Sequence, residues 1–274
     1  MSDRDFNTDT PHELNPDDRE AMLAALRLIA ERAGKAILAY YVEGDEIAVR
    51  HKEDASPVTD ADQAAEDLIL KALALLTPDI PVVAEEAMAA GAAPDVSGGR
   101  FWLVDPLDGT KEFISRNGEF TVNIALIENG VPVAGVVHAP ALAMTWAGAG
   151  PGTATFSETG HPPMAIHTRE IPADGAVVVA SRRHGSGPEL DAFLARYTVK
   201  AEKSAGSSVK FCLVASGQAD LYHRFGRTME WDTAAGHAVL LAAGGGVVRA
   251  DDETPLTYAK PGFEHPHFIA RGTP

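Results

Sequence analysis

The most informative stretch of the chain is Asp105-Pro106-Leu107-Asp108-Gly109-Thr110, which directly follows the apolar run Phe101-Trp102-Leu103-Val104. The apolar run predicts a buried strand. Pro106 fixes its own φ angle and Gly109 lets the backbone turn, so both carboxylates can point off the strand end into one concave site. Two acids this close repel each other unless a cation lies between them. Hard oxygen ligands suit Mg²⁺, and the Leu107 carbonyl is a further candidate ligand.

Further carboxylates stand at other predicted strand and helix ends. Glu85 follows the apolar run Val82-Val83-Ala84, and Asp232 begins an apolar helix in Glu230-Trp231-Asp232-Thr233-Ala234-Ala235-Gly236. In isolation, the first acid pair would more simply cap a turn, and Asp232 would more simply cap its helix. Together, three such chain ends without His or Cys metal spacing predict a two-metal site for phosphoryl chemistry.

The composition excludes several classes of protein. The chain has 274 residues, 45% of them hydrophobic, and 23 Lys and Arg against 39 Asp and Glu give a formal charge of −16. This balance is typical of a soluble globular protein and opposes nonspecific binding to nucleic acid. Cys212 is the single cysteine, which excludes disulfides and fits a reducing compartment. We expect neither a secretory signal in residues 1–18 nor a bilayer-spanning segment, which needs about 18 apolar residues.

The first half of the chain mixes helices with strands. Asn15-Pro16-Asp17-Asp18 predicts the start of a long amphipathic helix that runs to about Tyr41. Thr59-Asp60-Ala61-Asp62 predicts the start of a second helix, which ends near Thr77-Pro78. Asn129-Gly130 predicts a hairpin turn, because such turns need positive φ angles. Strands are expected at 82–84 and 101–104, a loop at 89–99, and the hairpin strands at 120–127 and 133–138.

The second half alternates strands and helices after a Gly- and Pro-rich segment at 148–163. Strands are expected at 176–180 and 219–222, and helices at 188–196, 207–215 and 231–243. The pattern predicts an α/β fold in two parts. We expect an N-terminal α+β domain with a largely antiparallel sheet at residues 1–155, and a C-terminal α/β domain at residues 156–274.

Four stretches of the chain carry a family resemblance. Asp105 to Phe113 and Trp231 to Gly236 resemble the two signature motifs of the inositol monophosphatase-like, Mg²⁺-dependent, lithium-sensitive phosphatases. Arg116 to Ile127 and Gly206 to Val214 resemble the 3'(2'),5'-bisphosphate nucleotidase (CysQ-type) branch. The resemblance spans roughly residues 52–245. It implies a layered αβαβα sandwich, with most metal ligands in the N-terminal domain and the nucleotide pocket and Asp232 in the C-terminal domain.

The resemblance also implies roles for single residues. The metal ligands, for two or three Mg²⁺ ions, would be Glu85, Asp105, Asp108, Asp232 and the Leu107 carbonyl, with Glu85 preferred over Glu86. The catalytic residues would be Asp62, Thr110 and Glu85, with Thr110 and Asp62 orienting and deprotonating a metal-bound water. Without the family motifs, Thr110 would be read as a simple cap and Asp62 as a first-turn helix acid.

The resemblance places the substrate among residues from both halves of the chain. The implied substrate-binding residues are Lys52, Asp108, Gly109, Thr110, His184, Ser207, Lys210, Arg224 and Asp232. Backbone N–H groups around Gly109 and Thr110 would donate to phosphate oxygens. Arg182 and Arg183 are alternatives to His184, and each pocket residue taken alone would be read as an ordinary surface residue.

The function that the resemblance implies is hydrolysis of the 3'-phosphate of adenosine 3',5'-bisphosphate to AMP and phosphate. One alternative is an inositol or small sugar phosphate as substrate, because the metal ligands do not distinguish one leaving group from another. Another is an acidic, divalent-cation-binding regulatory protein without catalysis, which the presence of both Thr110 and Asp62 disfavours. We expect a monomer or homodimer, and a cytoplasmic location or peripheral attachment to the cytoplasmic side of the inner membrane.

Overall fold

The computed structural model describes residues 16–42, 49–51, 57–181 and 188–272. The helices are α1 (Pro16–Leu38), α2 (Asp60–Leu76), α3 (Glu85–Ala89), α4 (Thr110–Ile114), α5 (Pro188–Leu194), α6 (Val209–Ala215) and α7 (Glu230–Ala242). The strands are β1 (Val49–His51), β2 (Pro57–Thr59), β3 (Val82–Ala84), β4 (Arg100–Asp108), β5 (Thr121–Glu128), β6 (Val131–Ala139), β7 (Met144–Gly148), β8 (Thr155–Glu158), β9 (Met164–Ala165), β10 (Ala176–Ala180), β11 (Val199–Ser204), β12 (Leu221–Arg224), β13 (Gly246–Arg249) and β14 (Phe268–Arg271).

Two large sheets organise the molecule. The first has seven strands in the order β3-β4-β5-β6-β7-β8-β9, and only its β3–β4 pair is parallel. The second has five strands in the order β11-β10-β12-β14-β13, with β10 parallel to β11 and β12, and β14 antiparallel to β12 and β13. The largely antiparallel first half and the α/β second half are therefore confirmed.

The sheets and helices stack in five layers. Helices α1 and α2 cover one face of the seven-stranded sheet, and α7 packs on the other face together with α6. Helix α6 also contacts β10, β12 and β14 of the second sheet, whose other face packs against α5 through Phe193. The order is the αβαβα sandwich that the resemblance implied.

Strand β4 is buried on both faces. Trp102 and Val104 point toward α1 and α2, whereas Phe101 and Leu103 point toward α6 and α7, and none of the four is more than 1% exposed. Successive side chains of a strand alternate between faces, so a continuous apolar run is what a strand between two helical layers requires. The end of β4 is thereby held rigidly in the middle of the sandwich.

Helix α7 lies unusually close to the first sheet. A Cβ added to Gly135 of β6 would be 2.8 Å from the Cβ of Ala238, and one added to Gly148 of β7 would be 2.5 Å from the Cβ of Ala242. Both distances are shorter than real Cβ contacts allow, so the two glycines permit this approach. The N-terminal turn of α7, which carries Asp232, is thus brought to the end of the sheet.

Most sequence-based boundaries lie within a few residues of the observed ones. The hairpin turn is at Asn129 and Gly130, whose φ angles are +49° and +79°. The strands that were not predicted are β1, β2, β7, β8, β9, β11, β13 and β14. The expected domain border at 155/156 falls inside β8, and β8 and β9 still belong to the first sheet. The change of sheet lies between β9 and β10, and the division into two domains stays a prediction.

Two further expectations concern the single cysteine and membrane-spanning helices. Cys212 is fully buried in α6, and burial raises the pKa of its thiol, as expected for a small hydrophobic residue. Within the described part of the chain, no helix has both the length and the hydropathy to cross a membrane.

Candidate active site

The site lies where β4 ends. The strand continues through Pro106 to Asp108, and its pairing with β5 shifts register between Asp105 and Asp108. Gly109 then adopts a left-handed conformation with φ of +91°, and α4 begins at Thr110. This conformation is one that glycine adopts without a steric cost. The bulge and turn together leave two carboxylates at the strand end, as the sequence predicted.

Three carboxylates from different elements meet at this point. Ala84 of β3 pairs with Val104 of β4 in a parallel register, so the following residues, Glu85 and Asp105, leave the sheet side by side. Asp232 joins them from the first turn of α7. One oxygen of each carboxylate lies within 4.8 Å of the others. These are hard oxygen donors of the kind that hold Mg²⁺ or another divalent cation, so the residues fit such an ion.

The electrostatics of the cluster favour a bound cation. The pKa of Asp232 is raised to about 8, first by burial and then by the negative charges of Asp108 and Glu85. Burial also raises the pKa of Asp108. The Asp232 carboxylate accepts a hydrogen bond from the Met229 N–H at 2.9 Å, so it caps α7 as well as joining the cluster. A divalent cation among these groups would offset their mutual repulsion.

Asp108 lies beside the cluster rather than within the group of three. Its Oδ2 accepts a 3.3 Å hydrogen bond from the side-chain amide of Asn123, and its charge interacts with that of Asp232. Glu86, the neighbour of Glu85, is buried outside the cluster. The preference for Glu85 over Glu86 is consistent with this geometry.

Thr110 and Asp62 are brought together from positions 48 residues apart. The Thr110 hydroxyl lies 3.3 Å from Asp62 Oδ1 and 3.4 Å from the Leu107 carbonyl. The other oxygen of Asp62 accepts hydrogen bonds from the N–H and hydroxyl of Thr59, at 2.8 and 2.6 Å. These bonds form the capping box of α2 and hold the carboxylate, which is 2% exposed, in a fixed orientation.

A cavity of about 290 Å³ connects the acids with a basic wall. Its acidic side includes Glu85, Asp108 and Asp232, and its basic side includes Lys210 and Arg224. It is also lined by Pro57, Gly109, Thr110, Lys111, Glu112, Ser181, Gly206, Ser207, Phe211, Tyr222, Thr228 and Thr233. A cavity with cations facing a metal-binding cluster suits a substrate that carries more than one phosphate.

Lys210 and Arg224, which form the basic side of the cavity, are held by contacts within the protein. Lys210 is 4% exposed, and its ammonium donates to the Ser207 carbonyl at 2.5 Å and lies 5.3 Å from the centre of the Tyr222 ring. Burial lowers the pKa of Lys210 to about 8. Arg224 donates from Nε to the Thr228 hydroxyl at 2.6 Å. Both cations therefore keep their positions without a ligand.

The sequence predicted that α6 begins at residue 207. The observed helix begins at Val209, so Ser207 lies just before it. Its φ angle of +41° is unusual for a residue with a side chain, and its buried hydroxyl has no hydrogen-bond partner within the described ranges of the chain. It nevertheless lines the same cavity as Lys210. Lys52 and His184, with the alternatives Arg182 and Arg183, lie outside the described residues.

Several residues around the site were missed by sequence reasoning. Asn123 and Ser208 hydrogen-bond to groups of the segments that carry Asp108 and Asp232, and Glu66 accepts the N–H groups that begin α3. The Glu119 carboxylate accepts the Gly206 N–H at 2.7 Å. Only Asn123 offered a signal in the sequence, as a polar residue inside an otherwise apolar strand.

Comparisons with known proteins identify relatives of this chain. The family model described as "Inositol monophosphatase family" matches residues 18–269. The "3'(2'),5'-bisphosphate nucleotidase CysQ" of Salmonella typhimurium is 49% identical over 247 residues, which cover 88% of this chain and 98% of that protein. The protein of the same name from Escherichia coli strain K12 is 47% identical, with the same coverage.

Solved structures show the same fold. The crystal structure of CysQ from Bacteroides thetaiotaomicron, described as a bacterial member of the inositol monophosphatase family, matches with a TM-score of 0.76. It is 36% identical, and the match covers 93% of this chain and 98% of that one. The inositol monophosphatase from Anabaena, at 24% identity and a TM-score of 0.69, shares the fold over 93% of this chain and 91% of its own.

Proposed function

The chain belongs to the inositol monophosphatase family, and we propose from this premise that it is a 3'(2'),5'-bisphosphate nucleotidase. It hydrolyses the 3'-phosphate of adenosine 3',5'-bisphosphate and yields AMP and inorganic phosphate. The observation that supports this best is one cavity lined by two members of the three-carboxylate cluster, Glu85 and Asp232, and by two cations, Lys210 and Arg224. The cluster suits the phosphate that leaves, and the cations suit the phosphate that stays.

The proposed metal is Mg²⁺, with two or three ions. Glu85, Asp105, Asp108, Asp232 and the Leu107 carbonyl would hold them, because all provide hard oxygen atoms at the end of β4. When bound, Mg²⁺ neutralises charge on the phosphoryl oxygens and lowers the pKa of water toward neutrality. The chain itself supplies the orientation: the start of α3, the end of β4 and the first turn of α7 each contribute one carboxylate of the cluster.

Thr110 and Asp62 are proposed to receive the proton of the attacking water, and Glu85 to act beside them as the third catalytic residue. The Thr110 hydroxyl donates to Asp62 Oδ1, which leaves the Thr110 oxygen to accept a proton. Asp62 Oδ1 is the final acceptor, since its other oxygen is already engaged by Thr59. A positioned base of this kind typically contributes roughly 10² to 10⁴-fold to a reaction rate.

The substrate is proposed to span the cavity. The 3'-phosphate would lie near Asp108, Asp232 and the N–H groups of Gly109 and Thr110. The 5'-phosphate would meet Lys210, Arg224 and Ser207, whose buried hydroxyl has no hydrogen-bond partner among the residues that the structure describes. Lys52 and His184 complete the predicted set.

The test is phosphate release, measured with and without Mg²⁺, from adenosine 3',5'-bisphosphate and from inositol 1-phosphate. We expect Mg²⁺-dependent turnover with a higher kcat/KM for the nucleotide. Asp108→Asn should abolish it with little change in fold. Lys210→Ala should lower kcat/KM for the nucleotide more than for inositol 1-phosphate. Preference for inositol 1-phosphate would reject the nucleotide assignment, and no release from any phosphate ester would reject the enzyme.

Three finer properties stay predictions. Lithium should inhibit, since Li⁺ can replace a weakly held Mg²⁺. Monomer or homodimer is expected in solution. The cytoplasm is the expected location, with peripheral attachment to the inner membrane as the alternative, and cell fractionation distinguishes the two.

A further inference from the structure

Asn123 occupies a position that an apolar residue would normally fill. It is the third residue of β5, is 1% exposed, and is followed by Ile124, Ala125, Leu126 and Ile127. A buried amide that lacks hydrogen-bond partners destabilises the fold, so its donors and acceptor must be satisfied within the protein. Asn123 satisfies this requirement entirely through groups at the end of the sheet, beside the carboxylate cluster.

Three hydrogen bonds fix the side chain of Asn123. Its Nδ2 donates to Asp108 Oδ2 at 3.3 Å and to the Ser208 hydroxyl at 3.0 Å. Its Oδ1 accepts from the Thr121 hydroxyl at 3.0 Å. The Ser208 hydroxyl in turn donates to the Asp232 backbone carbonyl at 2.7 Å. Thr121 and Ser208 are at most 1% exposed, so water does not compete for these bonds.

The partners of Asn123 constrain the orientation of its amide group. An ionised Asp108 can only accept a hydrogen bond, and the Ser208 hydroxyl interacts with both the Asp232 carbonyl and the Asp108 carboxylate. Asn123 turns its NH₂ group toward Asp108 and Ser208, and its oxygen accepts from Thr121. Asparagine provides two donors from one uncharged group, whereas a carboxylate at this position would add another negative charge next to Asp108.

We propose that Asn123 is a positioning residue for the metal cluster, which holds the Asp108 carboxylate in its ligating orientation and ties it to the start of α7. Through Ser208, Asn123 links the end of β4 to the helix that carries Asp232. Asp108 belongs to the seven-stranded sheet and Asp232 to the central helical layer, so this link connects the two layers and sets the separation of the two acids. The inference rests on the proposed function, because it assumes that both acids serve a cation.

The experiment measures Mn²⁺ binding by the full chain, using the electron paramagnetic resonance signal of free Mn²⁺. Asn123→Ala should weaken Mn²⁺ binding by roughly 10 to 100-fold, as loss of a hydrogen bond to a metal ligand typically does. The matched control is Thr145→Val, which removes a similarly buried hydrogen bond to His138 in the same sheet. The control should lose stability and keep the Mn²⁺ affinity of the unmodified chain.

Ser208→Ala provides the second variant, since it keeps the bond between Asn123 and Asp108 and removes the link to α7. It should weaken Mn²⁺ binding less than Asn123→Ala. The double variant should bind no more weakly than Asn123→Ala alone, because the two residues act in series. Additive losses of Mn²⁺ affinity would contradict a linked pathway and overturn the proposal.

If Asn123→Ala does not fold, Ser208→Ala alone decides the question. Unchanged Mn²⁺ affinity in Ser208→Ala then overturns the proposal.

The outcomes separate this inference from the proposed function. If the unmodified chain binds Mn²⁺ and Asn123→Ala binds it equally well, Asn123 does not position the cluster, and the enzyme assignment stands. If the unmodified chain binds no Mn²⁺, the metal site itself is absent and both proposals fall. A shift in Mn²⁺ affinity together with a higher Mg²⁺ concentration for half-maximal turnover supports both.

Discussion

Glu85 and Glu86 are neighbours in sequence with different surroundings. Glu85 is half-buried and joins Asp105 and Asp232, whereas Glu86 is buried away from them. Glu85→Gln should therefore raise the Mg²⁺ concentration for half-maximal phosphate release by more than about tenfold, because it removes a charged ligand. Glu86→Gln is the matched control, with the same chemical change one residue away.

The measurement is a Mg²⁺ titration of phosphate release for both variants, with thermal unfolding recorded alongside. Equal shifts in the two variants would mean that general loss of negative charge, rather than ligation, explains the effect. A shift only in Glu86→Gln would reverse the assignment.

The acids of the site could be found in the sequence because each sits in a local pattern: a carboxylate directly after an apolar run or in the first turn of an apolar helix. The residues that orient them could not be found this way. Asn123 contacts Ser208 across 85 positions, and Glu66 contacts Glu86 across 20. Such partners become visible only when strand register and helix packing are known.

At the scale of elements, α2 connects two parts of the site. Asp62 and Glu66 lie one helical turn apart, so they share a face. Asp62 meets Thr110, and the fully buried Glu66 accepts the N–H groups of Glu86 and Ala87, both at 2.8 Å. Glu66 thus caps the start of α3, the helix whose first residue is Glu85.

We predict that Glu66→Gln lowers the free energy of unfolding by about 1.5–3 kcal/mol, because an amide replaces a charged acceptor of two hydrogen bonds. It should also weaken Mg²⁺-dependent turnover by displacing Glu85. Urea unfolding and a Mg²⁺ titration check the two effects. The control is Asp67→Asn on the exposed side of the same helix, where the carboxylate contacts Gln63. Equal unfolding free energies for the two variants would contradict the capping role.

The elements that were predicted have strong local signals, and those that were missed do not. Strand β4 is a continuous apolar run, and the β5–β6 hairpin has its Asn-Gly turn. Strand β11 is an edge strand whose residues are mostly exposed, so no hydrophobic alternation marks it. Strands β7 and β8 flank or enter the Gly- and Pro-rich segment, where composition suggested a loop. Pairing of β7 with β6, and of β8 with β7, stabilises them instead.

At the scale of the whole molecule, several histidines are buried in the core and are neutral. Burial lowers the pKa of His138 to about 4, of His237 to about 3 and of His265 to about 2. In the unfolded chain these groups take up protons below about pH 6.5, whereas the folded chain does not. Their contribution to stability is therefore complete above pH 6.5 and is lost as the pH falls toward the folded values.

For each of these histidines, the free energy of unfolding should be lower at pH 5 than at pH 8 by at most about 2 kcal/mol. The raised pKa values of Asp232 and Asp108 act in the opposite direction. Urea unfolding in Mg²⁺, where the cluster stays ionised, should show a clear loss of stability between pH 6.5 and pH 5. A flat or rising profile would show that the histidines are accessible to protons in the folded state.

Three carboxylates meet at one place in the fold: Glu85, which follows β3, Asp105 of β4 and Asp232 of α7. The most direct measurement is anomalous diffraction from a crystal grown with Mn²⁺ in place of Mg²⁺. We predict strong anomalous peaks bounded by these three carboxylates, with Asp108 and the Leu107 carbonyl adjacent. Ordered carboxylates with no anomalous peak between them, at Mn²⁺ concentrations that support turnover, would contradict the account.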